Sequence, residues 1–271
     1  MKFFLTYLAL FVLVLNSRAQ WGVDSDIRLT GKFAVSQMMV ELNKNFSEGV
    51  NEFDNQPGLG FGVEISKQFT PNWEIGAEFI LSTLYGEAVT PDFSAIGNHA
   101  SMMEPFTEPL VYKNQLFGQK IFVQYNFVLN SFYNVTNPFL RAGIGYVPYR
   151  SQLRFRDNWH QGIIFGKGLE EYEKNKMSTA VYTVTPGIRT KISSHMELMA
   201  AINLNVVNYD FLDVVHNYNE AGERLQMKGI YVDFEVGISF LLNDSGRFDT
   251  ITKKRDGNGK TEDHLPFYER K

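Results

Sequence analysis

In a chain without cysteine, histidine is the first place to look for chemistry. Five occur among the 271 residues, at His99, His160, His195, His216 and His264. An imidazole titrates near neutral pH, so a histidine beside a carboxylate can serve as a general base. The densest such neighbourhood is NYDFLDVVHNYNE, where Asp210, Asp213 and Glu220 flank His216. Spacing alone does not bring His99, His160 and His216 to one point, and histidines in polar segments are ordinarily solvated. No catalytic residue is assigned from the sequence.

Metal and phosphate chemistry are no better supported. Asp256-Gly257-Asn258-Gly259 opens like a calcium loop, but Pro266 and Phe267 stand where the closing glutamate belongs. GLGFG at 58–62 and GIGY at 143–146 lack the following helix that a phosphate cradle needs. Asn45-Phe46-Ser47 and Asn134-Val135-Thr136 match the glycosylation pattern, which is common by chance. The absence of cysteine removes disulfides, thiolate metal sites and a thiol nucleophile together. A net charge of −4 leaves no basic footprint for nucleic acid. The sequence thus implies no cofactor, no metal and no nucleic-acid partner.

The elements that carry these groups declare themselves in residues 58–81, GLGFGVEISKQFTPNWEIGAEFIL. Alternate side chains of a strand point to opposite faces. Leu59, Phe61, Val63, Ile65 and Phe69 share one face; Gly60, Gly62, Glu64, Ser66 and Gln68 share the other. After Thr70-Pro71-Asn72, a turn by composition, Trp73, Ile75, Ala77, Phe79 and Leu81 oppose Glu74, Gly76, Glu78 and Ser82. The pattern recurs to give eight runs, near 27–40, 58–69, 73–82, 117–129, 138–149, 179–192, 196–207 and 229–242. With 23 Phe and 13 Tyr, the composition suits strands.

Connections alternate in length. Long ones fall at 41–57, 85–116, 150–178 and 210–228, and short ones at 70–72, 130–137 and 193–195. In an antiparallel meander this puts every short turn at one end, as in membrane barrels. Runs of ten or more residues match the 9–11 of a tilted membrane strand, against about 5–6 in soluble sheets. The N-terminus agrees: Lys2, the apolar FFLTYLALFVLVL at 3–15, and Ser17-Arg18-Ala19 form a signal peptide cut after Ala19.

The fold class read from this pattern is all-β, an eight-stranded antiparallel up-and-down transmembrane β-barrel over 27–242. Residues 1–19 form the signal peptide, 20–26 a lead-in, and 243–271 a polar, disordered periplasmic tail. The apolar face meets lipid and the other points inward. Inward charges are Arg28, Lys32, Lys120, Arg141, Arg189 and Lys191 against Glu64, Glu74, Glu78, Glu197, Asp233 and Glu235. Six of each sign imply a salt-bridged, closed lumen, since an unpaired buried ion costs several kcal/mol. Glycines 60, 62, 76, 143, 145, 187 and 237 relieve crowding there. Phe69, Trp73, Phe127 and Phe240 are read as the aromatic girdle at the short-turn end, and Tyr85, Tyr146, Tyr149 and Tyr182 as the outer girdle. Pro148 and Pro186 predict a bulge or strand end. Gln37, Lys67 and Gln119 fall on the lipid face.

This pattern resembles the small outer-membrane β-barrel superfamily of OmpA and OmpX type. The resemblance is architectural, and it implies an outer-membrane protein whose first partner is lipid. Loops 85–116, with Met102, Met103, Phe106, Leu110 and Val111, and 150–178 are candidate surfaces for envelope or extracellular proteins; the first can also fold over the barrel mouth. The leading functional reading is a non-enzymatic structural or surface-interaction role. A narrow channel for small solutes, a rim enzyme acting on lipid or peptide, and a secreted lipocalin-like barrel are the alternatives.

Overall fold

The computed structural model describes residues 27–43, 45, 49–50, 53–70, 72–89, 109–127, 136–157, 163–166, 177–193, 195–208, 212 and 227–242. These hold eleven strands: β1 (Ile27–Asn43), β2 (Gly49–Val50), β3 (Asp54–Gln56), β4 (Gly58–Gln68), β5 (Trp73–Ala88), β6 (Leu110–Asn126), β7 (Thr136–Phe155), β8 (Ile163–Gly166), β9 (Met177–Lys191), β10 (Met196–Val207) and β11 (Met227–Leu241). Eight of them, β1, β4, β5, β6, β7, β9, β10 and β11, pair antiparallel in chain order, and β11 returns to pair with β1. The sheet therefore closes on itself and leaves no edge in its wall. β2, β3 and β8 are short additions at the long-loop end.

Period-two alternation produces the two faces. Leu59, Phe61, Val63, Leu81, Tyr182 and Phe234 on the outer face are each more than half exposed, while Glu64, Glu74 and Asp233 inside are almost completely buried. An outer surface of this kind is costly in water and favourable in hydrocarbon. Phe33 and Phe61 pair across β1 and β4 with ring centroids 5.4 Å apart, edge to face.

Two irregularities reset which face a residue occupies. In β1, Met38 pairs with Tyr231 but Val40 with Ile230, so Met39 is an extra residue and half exposed. Beyond that bulge the parity reverses and Glu41 turns inward, 1% exposed. Between β3 and β4 the register against β5 slips by one at Pro57, with Gln56 opposite Tyr85 but Gly60 opposite Ser82. Phe53 therefore lies inside the barrel.

Three expectations require correction. Neither Pro148 nor Pro186 causes a bulge or a strand end. Each falls in a ladder that lapses and resumes in the same register: β6–β7 between Leu116↔Tyr149 and Gln119↔Tyr146, and β9–β10 between Ala201↔Gly187 and Leu204↔Val184. In an antiparallel strand one residue directs its N–H and C=O to the same neighbour, so each proline weakens one ladder while the β7–β9 ladder runs unbroken past both. Tyr149 is not in the outer girdle; it shares inward parity with Arg141 and is 3% exposed. Parts of the segments taken as loops are strand, since β5 reaches Ala88, β6 starts at Leu110 and β7 reaches Phe155. There the alternation is inverted: Leu110, Tyr112 and Leu116 are buried inside, and Lys113 faces out. A search for apolar-out strands reads such a stretch as loop.

Glycine makes room inside. A Cβ on Gly76 would lie 2.4 Å from the Phe122 ring, and one on Gly187 2.3 Å from the Phe139 ring. Each ring lies across the glycine directly opposite it on the neighbouring strand. Gly187→Val should therefore destabilise the barrel by about 1–3 kcal/mol through overpacking. Urea unfolding in lipid vesicles, followed by tryptophan fluorescence, measures it; an unchanged midpoint would mean the ring is free to move away.

Candidate functional site

The barrel interior is where the charges converge, and all eight wall strands contribute. The network begins near the short turns. Arg28 of β1 reaches Glu74 of β5 at 2.8 Å, Glu197 of β10 at 3.0 Å and the Gln68 amide oxygen at 3.2 Å. Glu74 also holds Arg189 of β9 at 2.7 Å. Lys191 is half-buried opposite Glu197 in register.

Glu64 of β4 is the hub of the next level. Both its oxygens accept from Arg141 of β7, at 2.8 and 2.9 Å, and it pairs with Arg189 at 3.2 Å and Lys32 at 2.9 Å. Arg141 donates further to the Gln124 amide oxygen, at 3.1 and 2.9 Å. Its guanidinium lies 3.8 Å from the Phe122 ring centre, and Phe139 sits between Arg141 and Arg189 at 5.5 and 5.2 Å. Such rings form a shelf that a planar cation favours.

Higher still, Lys32 bridges Glu64, Glu78 and Glu235. Glu78 also takes Lys120 of β6 at 2.8 Å and Arg141 at 3.3 Å. Asp233 of β11 accepts from the Asn205 amide at 2.8 Å, and the Thr183 hydroxyl donates to the Asn205 oxygen at 2.8 Å. Lys32, Glu64, Glu74, Glu78, Arg141 and Arg189 each meet two or more opposite charges, which is the condition under which buried charge is tolerable. Glu235 and Lys120 have one ion pair each, and Asp233 is held by an amide.

Above the ions the interior becomes apolar. Met38, Phe53, Leu84, Leu110, Tyr112, Leu116, Val147, Tyr149, Leu153, Val181, Val207 and Tyr231 form one buried cluster toward the long-loop end. Leu212, from the connection after β10, belongs to it: its side chain packs over Gly229 and its carbonyl accepts from the Asn114 amide at 2.9 Å. The Tyr112 hydroxyl donates to the Asn55 side-chain oxygen at 2.6 Å.

The structure places the remaining candidates as follows. Phe69, Trp73, Phe127 and Phe240 are exposed at the short-turn end, where Trp73, Tyr125 and Phe127 form an edge-to-face chain with centroids 5.0 Å apart. Tyr146 and Tyr182 are exposed outside; Tyr85 is half-buried. Leu110 and Val111 are buried. His195 is exposed in the turn before β10. His99, His160, His216, His264, Asp210, Asp213, Glu220, Met102, Met103, Phe106, the calcium-like stretch at 256–259 and segments 1–26 and 243–271 lie outside the described residues. Among the described residues no histidine lines the lumen and no cluster of three or more metal-ligating side chains occurs.

Sequence reasoning missed Glu41, whose face depends on a one-residue bulge, and the inward rings Phe122 and Phe139. Both rings alternate correctly with their outward neighbours Ile121 and Leu140, so strand parity was signal enough to find them.

No protein-family model and no curated protein matches this sequence. Solved structures similar in chain path are outer-membrane and surface proteins. Neisserial surface protein A is 8% identical, over 79% of this chain and 96% of its own, with a TM-score of 0.41. Ail, the attachment invasion locus protein of Yersinia pestis, is 9% identical over 81% and 100%, also at 0.41. The outer membrane protein OprG from Pseudomonas aeruginosa is 8% identical over 82% and 97%, at 0.40. At such identities no residue of those proteins carries over to this chain.

Removing one member of a multiply paired buried set strands the others, at about 3–5 kcal/mol. Arg141→Ala should therefore lower the urea midpoint sharply, and Arg141→Met combined with Glu64→Leu should recover much of the loss. If the double variant is as unstable as the single one, the pair contributes more than mutual neutralisation.

Proposed function

We propose that this chain is an integral outer-membrane β-barrel with a closed, ion-paired lumen and a non-enzymatic role in envelope structure or surface contact. One observation carries the reading: along the same strands, large apolar side chains face outward while Arg141, Arg189, Lys32, Glu64, Glu74 and Glu78 are sealed within. Only a solvent of hydrocarbon outside makes that arrangement favourable, and closed barrels are the β-structures that can span such a layer. In bacteria that barrel class belongs to the outer membrane. The signal peptide at 1–19 would export the chain, and 243–271 would remain periplasmic beside the short turns. The alternating connection lengths put the long loops outside, so 85–116 and 150–178 are the surfaces open to envelope or extracellular proteins.

Two features support closure over a channel. Eight strands leave an interior that side chains essentially fill, and here the filling comes in two layers of opposite character. An ion entering from the long-loop end would first have to part the apolar cluster around Leu84, Leu116 and Tyr149, and then displace charges that already hold one another. The reversed, lipocalin-like arrangement is disfavoured by the same faces, since its apolar side would have to be the inner one. A rim enzyme has no support among the described residues.

The test combines three measurements on the mature chain. It should migrate faster on a gel before heating than after, fractionate with the outer membrane, and give no steady conductance in a planar bilayer. Steady conductance would favour the channel reading, and a monomer folded in plain buffer would remove the membrane reading itself.

A further inference from the structure

Just above the apolar belt, on the β6–β7 side of the barrel, the outer face changes character. Lys113 of β6 and Arg150 of β7 are exposed there, and Arg154 of β7 is half-exposed. Gln115 stands opposite Arg150, Lys113 opposite Gln152 and Val111 opposite Arg154. Lys113 is therefore the diagonal neighbour of both arginines, at about 7–8 Å between backbones. The three cations zigzag up two adjacent strands on the outward face.

Their height is fixed by what lies beneath. On β7 the exposed Tyr146 is followed outward by Pro148 and then Arg150; on β6 Phe117 is followed by Gln115 and Lys113. The Arg150 guanidinium sits 5.8 Å from the Phe117 ring centre, so it rests on the uppermost ring of the belt. On β5, Thr83 and Tyr85 lie beside Gln115 and Lys113, and Glu87 lies in the row of Arg154; on β9, Ser178 and Ala180 lie beside Pro148 and Tyr146, just below Arg150. Of the acids near this patch, Glu87 and Asp157 are both held by Arg156, and exposed Asp54 stands on the far side of Glu87, on β3. Neither Lys113 nor Arg150 is in an ion pair among the described residues. On a chain of net charge −4, this is a local concentration of positive charge continuous with the lipid-facing surface.

We propose that Lys113, Arg150 and Arg154 form a docking site for the phosphate groups of an anionic lipid headgroup in the outer leaflet. The acyl chains of such a lipid would lie against the belt below, and its phosphates would stand at the height of the cations. Arginine forks bind phosphate oxygens two at a time, and lysine adds a point charge. The inference rests on the membrane-barrel reading above, because it places that face against lipid.

The probe is lipid A in its diphosphorylated and dephosphorylated forms, titrated against the full mature chain in detergent micelles and read by native mass spectrometry. The wild type should prefer the diphosphorylated form. At about 1 kcal/mol per cation near anionic lipid, Lys113→Gln with Arg150→Gln should weaken that binding about thirtyfold, leaving binding of the dephosphorylated form unchanged. Equal preference in variant and wild type, or no preference in the wild type, would overturn the site. Heat-modifiable migration of the same samples separates the two readings. Folded barrels without phosphate preference refute the headgroup site alone, whereas a chain that forms no barrel refutes the membrane reading and the site with it.

Discussion

Everything in this structure depends on keeping charges that no apolar medium would accept inside a wall that faces such a medium. A charged side chain turned to the bilayer midplane costs about 2–4 kcal/mol for Arg or Lys in a barrel wall, and an unpaired ion buried inside costs several kcal/mol. Both penalties vanish together only in one register. Because side chains alternate with a period of two, a slip of one residue would exchange the faces of a whole strand. Each wall strand supplies an inward charge, from Arg28 and Lys32 on β1 to Asp233 and Glu235 on β11, so no strand is free to slip. Lys32 meets Glu235 across 203 positions of sequence, and this contact helps join the first strand to the last. The network thus specifies closure as well as neutralising itself.

Aromatic rings and glycines serve the same end at closer range. Arg141 and Arg189 are the large cations in the middle of the lumen, and two rings, Phe122 and Phe139, lie beside them. A ring pointing inward from a wall this tightly curved needs a bare backbone to lie on, which Gly76 and Gly187 supply. The prolines are tolerated for a related reason. A strand in a closed barrel has ladders on both sides, so losing a donor toward one neighbour leaves the other ladder to hold the register.

Much of this was legible because lipid outside and ions inside write the same alternation into every strand. The eight runs and the faces of Glu64, Glu74, Glu78, Arg141 and Arg189 follow from counting by two. What was not legible is whatever breaks the count. Glu41 lies beyond the Met39 bulge, and its inward position appears only when the pairing partners of Met38 and Val40 are known. Tyr149 was read as a girdle residue from its type, although its odd number on β7 already placed it beside Val147 on the inner face. The upper parts of β5, β6 and β7 were read as loop because the rule changes there. Water replaces hydrocarbon outside, and apolar groups move to the inside.

That change of rule explains the shape of the interior. Below it the outer surface is apolar and the core is ionic; above it the outer surface is polar and the core is apolar, as in a soluble β-protein. The apolar cluster around Leu84, Tyr112, Leu116 and Tyr231 therefore lies on the long-loop side of the ions. The residual exposure of the network lies at the other rim, where the Arg28 and Glu197 side chains are 10% and 13% exposed. Apolar neighbours on the long-loop side lower the local dielectric and strengthen each ion pair. The same packing also extends an ordered sheet past the bilayer, so the long loops start from a packed base instead of from the lipid surface. Groups on that extension, Lys113 and Arg150 among them, are held at a set height above the membrane by the same ladders that close the barrel within it.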